Sequence, residues 1–436
     1  MGSEKGGDMS VSLSQDLQRR GICNQTSSDE LNALLDTSSL SLYAGFDPTA
    51  DSLHIGNLFL LLTLRRFQLA GHRPVLVAGG GTGMIGDPSG KESERTLLSE
   101  DELDRNLEAL TRQLGRFVDL DDRSAQSAKI VDNRTWLSEL SLIEFLRDAG
   151  KHFNVNHMLQ KDSVRNRLGI DRGFSFTEFT YMLLQSYDFL QLYRSPLHVT
   201  LQLGGSDQWG NITTGIDFVR KVEGATVYGM TTPLVTRADG RKFGKSESGA
   251  VWLDANKTTP FELYQFFLRS EDEMVISYLR YFTFLSLEEI DALEEGQREA
   301  PEKRAAHQRL AYEVTELVHG RDDAARAEEA SRLIYGEGDI SSAPLDTIRL
   351  AFSEAPQQSL SRREIESGIA VDDFAGRTPL FGSKSEARRV ISQGGLYLNG
   401  HRVSEAGATV TEDELLHNAV IVLRRGKREY CLVEFE

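Results

Sequence analysis

Long apolar runs are missing from this 436-residue chain. The longest uninterrupted one, "LFLLL" at Leu58–Leu62, is five residues, against the roughly 20 that a membrane-crossing helix needs. The first thirty residues are polar, with neither the apolar core of a secretory signal nor an Arg-rich amphipathic presequence, so a cytoplasmic location and no membrane partner are expected. Cysteine is scarce. Cys23 and Cys431 stand near opposite ends and offer neither a disulfide scaffold nor a zinc site, which fits a reducing compartment. Positive charge is in deficit, 49 Lys and Arg against 66 Asp and Glu, for a formal net charge of −17. That balance argues against a protein that coats nucleic acid regardless of sequence, because phosphate neutralisation needs cations. Internal repeats and low-complexity tracts are also lacking.

What is present is ordinary globular material, 39% hydrophobic and 26% charged, with length for two or three domains. The acid is not spread evenly. The last ~75 residues are roughly neutral with local basic clusters, so a patch there can meet a polyanion that the rest repels. From "SLSLYAGF" to about Ala250, short apolar runs alternate with amphipathic segments. "PVLVAGG" (Pro74–Gly80) and "SPLHVTLQLGG" read as buried strands with glycine exits, and Asn57–Gly71 as a helix. Such alternation predicts an α/β fold, a parallel sheet with helices on both faces, and a ligand beyond the carboxyl ends of its strands. From about Pro260 to Gly336 only helical periodicity remains, and the Ser-, Ala- and Pro-bearing stretch from Ser341 to about Pro356 reads as a linker. A third module follows, with a helix, a stop at Gly394-Gly395 and an Asn399-Gly400 hairpin turn.

The chemistry begins at "YAGFDPTADSLHIGN" (Tyr43–Asn57). A strand ending near Phe46 and a helix starting near Asn57 aim free backbone N–H groups toward His54 and Gly56, an arrangement that attracts anions. His54 and Thr49 can donate to phosphate oxygens, and Gly56 lets a ligand approach. Alone, the same residues could simply cap a helix. About 190 residues later, "DGRKFGKSES" (Asp239–Ser248) sets Lys242 and Lys245 around Phe-Gly, followed by Ser246. That loop suits closure over a polyphosphate, although taken alone a solvated basic turn is the commoner use of such a sequence. In "FTYMLLQSYDFL", Tyr181, Gln185 and Asp188 fall at i, i+4 and i+7, on one face that meets either water or a polar ligand. "GTGMIG" (Gly81–Gly86) fits the dinucleotide glycine pattern, but no apolar helix follows, so a nicotinamide or flavin site is not expected.

Together, "YAGFDPTADSLHIG", "GDPSGKESERT", "FTEFTYMLLQSYDF", "LGGSDQWGNI" and "KFGKS" resemble the signatures of class I aminoacyl-tRNA synthetases, specifically the bacterial-type tyrosyl-tRNA synthetases. The resemblance implies an N-terminal helical arm (1–40) and a Rossmann-like catalytic domain binding ATP and tyrosine (41–250). A small all-α anticodon-region domain (251–340), a linker (341–360) and an S4-like α+β RNA-binding domain (361–436) would follow. It implies that Tyr43 and Asp188 bond the phenolic hydroxyl of L-tyrosine, that Asp87, Tyr181 and Gln185 hold its amino end, and that Gln208 lies near the reacting carboxylate. ATP would lie against Gly45, Asp47, His54, Gly56, Asn57, Gly205, Asp207, Lys242, Lys245 and Ser246, with Thr49, His54, Lys242 and Lys245 carrying the catalytic step. Lys91 and Arg95 would help pyrophosphate leave, and Lys384, Arg388 and Arg389 would contact RNA. Mg2+ would arrive with ATP rather than sit in a protein metal site; tRNA(Tyr) and a second copy of the chain complete the implied partners. Asn57 replaces the last His of the HIGH signature, and Ala44 stands where some relatives have Cys. Rival readings are a tryptophanyl-type synthetase or adenylyltransferase, and a non-catalytic RNA-binding protein on the same body.

Overall fold

A computed structural model describes residues 11–89, 98–168, 174–246, 249–336 and 338–436. The chain forms two compact units, Met1–Thr258 with Ser270–Ala306, and Thr259–Arg269 with His307–Glu436.

The first unit is built on a six-stranded sheet. Its strands are β1 (Gln25–Thr26), β2 (Ser41–Phe46), β3 (Arg73–Ala78), β4 (Lys129–Asp132), β5 (Leu201–Gly205) and β6 (Tyr228–Thr232), in the order β1-β6-β5-β2-β3-β4. β2 to β6 run parallel, and β1 pairs with β6 antiparallel. The expected helical arm therefore also lends the sheet an edge strand, between the helices Leu13–Arg19 and Glu30–Thr37. From β2 the chain winds one way through β3 and β4, while β5 and β6 lie on the other side. The order reverses between β2 and β5, the place where parallel sheets of this kind bind ligands beyond their strand ends.

Because β2 has neighbours on both sides, its residues are buried except Gly45. Tyr43 pairs in register with Val75 and Gln202. Its ring enters an apolar cluster with Val75, Val77, Phe189, Leu190 and Phe218. The helix Phe176–Arg194 opens on a Ser175–Glu178 capping box and passes close to the helix Trp209–Glu223. Gly215 permits that approach, since a Cβ there would lie 3.3 Å from the Phe189 ring and 3.6 Å from the Ser186 backbone.

In the second unit, the helices Pro260–Leu268, Arg321–Ile334 and Leu345–Ala351 precede a five-stranded sheet. Its order is His401–Arg402, Leu396–Leu398, Val420–Arg425, Glu429–Phe435, Gln357–Leu360, antiparallel except for the last pair. The expected linker is thus largely structured: Thr347, Ile348 and Ala351 of its helix are buried, and Gln357–Leu360 is an edge strand. Asn399 (φ 50°) and Gly400 (φ 86°) make the two-residue hairpin turn, both with positive φ. The Asn399 side chain is also buried, donating to the Glu414 carbonyl (2.6 Å) and accepting from the Val422 N–H (2.9 Å).

Candidate active site

The site lies at the reversal between β2 and β5. His54 is the N-cap of the helix Ile55–Leu69, which begins two residues earlier than the sequence suggested. Asn57 accepts a hydrogen bond from the His54 N–H (3.1 Å), so the departure from the HIGH signature has a structural use here. Gly56 is small for a reason other than its φ. The imidazole of His54 lies over it, and a Cβ would sit 2.8 Å from Cε1 and 3.0 Å from Nδ1. Not every first-turn donor faces a ligand, however, because the Ile55 N–H donates to the Val251 carbonyl (3.0 Å).

That bond joins the two motifs. Val251 also donates to the Gly244 carbonyl (3.0 Å), and Leu253 to the Leu53 carbonyl (2.8 Å). Gly244 (φ +99°) backs onto the helix start, its Cβ direction 3.6 Å from the Gly56 nitrogen. The structure thus brings "HIG" and "KFGK" together across 190 residues of chain. Lys242 is exposed and forms an antiparallel bridge with Thr236, while the ring of Phe243 is buried. Lys245 and Ser246 pair with Gly249–Ala250 through their backbone, their side chains lying outside the described set. Lys91 and Arg95 lie outside the described residues.

On the other side of β2, the long helix turns its polar face inward. Gln185 Nε2 donates to Gln208 Oε1 (3.2 Å), and Gln208 Nε2 donates to Asp87 Oδ2 (2.7 Å). Asn211, which sequence reasoning had passed over, closes the network by donating to Gln185 Oε1 (2.9 Å). Tyr181 Oη donates to Asp47 Oδ2 (3.0 Å), and Asp47 Oδ1 accepts from Thr82 Oγ1 (2.9 Å). Burial, reinforced by the charges of Asp47 and Asp87, raises the Tyr181 phenol well above its ordinary range.

One turn deeper, Asp188 is fully enclosed. Asn133 Nδ2 donates to its Oδ2 (3.0 Å) and Trp136 Nε1 to its Oδ1 (2.7 Å). Desolvation outweighs these two bonds, which favour the charged form; with the nearby carboxylates of Asp47 and Asp132 it raises the acid to about 7. The buried Tyr43 hydroxyl reaches the Gln185 carbonyl (3.5 Å), and its acidity is suppressed first by burial and then by the charge of Asp188. The result is a pocket rich in carboxylates at one end, with a hydroxyl–carboxyl pair at the other. Its chemistry suits a ligand that bears an ammonium and, about two helical turns away, a hydroxyl.

The glycines after β5 serve packing as well as access. A Cβ on Gly204 would lie 3.0 Å from the Gln208 Cβ, and one on Gly205 would lie 2.7 Å from Asp207 Oδ1. "GTGMIG" forms a 3-10 turn at Thr82–Met84, where a dinucleotide site would start a long helix.

The family described as "tRNA synthetases class I (W and Y)" matches residues 35–336, and the "Tyrosine--tRNA ligase SYY-like C-terminal domain" matches 348–433. The tyrosine--tRNA ligase of Roseiflexus castenholzii is 49% identical over 424 residues, 97% of this chain and 99% of that one. The one from Geobacillus stearothermophilus is 49% identical over 427 residues, 98% of this chain and all of the relative. The chain belongs to the tyrosine–tRNA ligase family. Among solved structures, the C-terminally truncated mitochondrial tyrosyl-tRNA synthetase of Aspergillus nidulans superposes with a TM-score of 0.67 at 32% identity, over 74% of this chain and 94% of that one. At 15% identity, the tyrosyl-tRNA synthetase of Archaeoglobus fulgidus shares the fold, with a TM-score of 0.53 over 73% of this chain and all of that one.

In this ligase-family chain the three cations singled out in the C-terminal module stand on the helix Lys384–Ser392. Arg388 donates through Nε to Asp372 Oδ2 (2.9 Å), a carboxylate only 1% exposed, and Lys384 Nζ lies 3.7 Å from its other oxygen. Arg389 is exposed.

Proposed function

We propose that this chain joins L-tyrosine to tRNA(Tyr) in two steps at the β2–β5 reversal. Tyrosine binds with its ammonium toward Asp87, Tyr181 and Gln185 and its phenol between Tyr43 and Asp188. The carboxylate, near Gln208, attacks the α-phosphorus of ATP in line, forming an acyl–phosphate bond as the bond to pyrophosphate breaks. A terminal ribose hydroxyl of the tRNA then takes the acyl group and AMP leaves. No protein nucleophile is needed; the side chains position the reactants and stabilise charge.

Thr49 and His54 grip the distal phosphates, with Gly45, Asp47, Gly56, Asn57, Gly205 and Asp207 around the nucleotide. Lys242, Lys245 and Ser246 close over the polyphosphate, assisted by Lys91 and Arg95, and Mg2+ accompanies ATP. Residues 361–436 meet tRNA through Lys384, Arg388 and Arg389, and residues 251–340 address its anticodon region. The chain works in the cytoplasm as a homodimer. In support of pairing, large apolar side chains between 142 and 176 stand in the open, among them Ile143 (70% exposed) and Phe176 (75% exposed).

The observation that carries the reading is the buried Tyr43–Asp188 pair, about 4.5 Å of helix rise from Gln185 of the Asp87–Gln208–Gln185 network and about 10 Å from Tyr181. Phenylalanine would bring a C–H to the place beside Tyr43 and Asp188 where tyrosine brings a hydroxyl, which is costly in a buried polar site. The test is amino-acid-dependent exchange of pyrophosphate into ATP. Exchange with tyrosine and not with phenylalanine or tryptophan is expected. Exchange with another amino acid would overturn the pocket assignment, and none from folded protein would overturn the enzyme reading.

A further inference from the structure

Residues 270–306 looked in the sequence like part of a separate helical domain, yet they pack into the first unit. Their helix Val275–Phe282 touches the lysine loop directly. The ring of Tyr278 lies 4.2 Å from that of Phe243, centroid to centroid, and Phe282 lies 5.8 Å from it. Tyr278 Oη donates to the Thr236 carbonyl (2.8 Å), and Thr236 is bridged to Lys242. Glu271, just before the helix, accepts from the Ala238 N–H (2.6 Å). The hairpin that presents Lys242 is closed on itself by Phe243 N–H to the Val235 carbonyl (2.9 Å) and Arg237 N–H to the Arg241 carbonyl (2.8 Å). It is then held from outside at Thr236, Ala238 and Phe243, all by this one segment.

We infer that Tyr278, with Glu271 beside it, is a positioning residue of the adenylation step, holding the hairpin so that Lys242 meets the polyphosphate. A hairpin exposed from Ala238 to Lys242 has little core of its own to fix it. The ring contact and the two hydrogen bonds supply that restraint from residues 271–282, none of which is among the tyrosine-pocket residues named above. The role rests on the proposed ligase activity and adds to it a part for a segment outside the two motifs.

The experiment compares native protein with Tyr278→Phe, Tyr278→Leu and Glu271→Gln in tyrosine-dependent pyrophosphate exchange, measuring kcat, KM for ATP, KM for tyrosine and Tm. For Tyr278→Leu, kcat/KM for ATP should fall about tenfold while KM for tyrosine stays within about twofold; Tyr278→Phe and Glu271→Gln should each fall about threefold. Retention of the ring in Tyr278→Phe should keep it more active than Tyr278→Leu. Kinetics within about twofold of native in the folded variants would overturn the role, as would a rise in tyrosine KM in parallel with the loss of ATP turnover. If Tyr278→Leu does not fold, Tyr278→Phe and Glu271→Gln decide the matter, since the first removes one hydrogen bond, the second weakens one by neutralising its acceptor, and both keep the packing. Native protein without exchange would sink the ligase reading and this role together, whereas active native protein with indifferent variants sinks only the role.

Discussion

Asp188 shows what a single buried acid does. Its pKa of about 7 means that between pH 4 and 7 the folded chain keeps a proton that the unfolded chain releases. Stability therefore falls as pH rises through that window and levels off above it, by about 4 kcal/mol in all. Asp188→Asn removes this component, so the variant's Tm should gain on that of the native protein from pH 5 to pH 8. In the proposed pocket the same acid, once ionised, is the stronger acceptor for the phenolic hydroxyl of tyrosine. KM for tyrosine should accordingly fall as pH rises from 6 to 8 in the native protein, while Asp188→Asn shows no such fall and a tyrosine kcat/KM lower by about 10- to 100-fold. A flat native profile would refute the link. The three-residue face Tyr181, Gln185, Asp188 was legible because helical spacing puts those side chains on one side. The bracing of Asp188 by Asn133 and Trp136 was not. Those residues come from a different element, more than fifty positions earlier, and neither period nor propensity couples them to it.

At the scale of elements, the start of the helix Ile55–Leu69 sets two effects against each other. Alanine in place of Gly56 should favour the helix itself by roughly 0.5–1 kcal/mol. Its Cβ would also meet the His54 ring at 2.8 Å and force it to move. Gly56→Ala is therefore expected to hold or raise Tm while kcat/KM for ATP in pyrophosphate exchange drops about tenfold or more. A variant with undiminished ATP turnover would remove His54 from the nucleotide site. The strands with glycine exits and the Asn399-Gly400 turn were readable because each carries its own local signal. The helix Leu345–Ala351 was not, since seven residues span under two turns and Pro344 before it suggested a break. β1 escaped notice because two residues make no alternating pattern; only pairing with β6 defines them.

For the molecule as a whole, the sequence and the structure part company over boundaries. Composition separated a mixed α/β region from a helical one, but the chain leaves the first unit after Thr258 and returns to it at Ser270. Apolar periodicity says that a helix is buried, not which core buries it. Charge distribution poses a separate question, because a net −17 body needs a local surface if it is to hold a polyanion. The helix Lys384–Ser392 offers one, but its cations are not equivalent as probes. Arg388 neutralises the buried Asp372, so Arg388→Ala costs about 1–3 kcal/mol of the second unit's stability whatever it does to RNA. Lys384 lies farther from that carboxylate, at 3.7 Å, and Arg389 is exposed, so the double change Lys384→Ala/Arg389→Ala is the cleaner test. It should leave tyrosine-dependent pyrophosphate exchange intact, raise KM for tRNA in the charging reaction roughly tenfold, and lower the salt dependence of tRNA binding by about one counterion per lost contact. Unchanged tRNA kinetics and an unchanged salt slope would move the RNA surface elsewhere in the chain. A fall in exchange as well would mean that these cations serve the adenylation step rather than the polyanion.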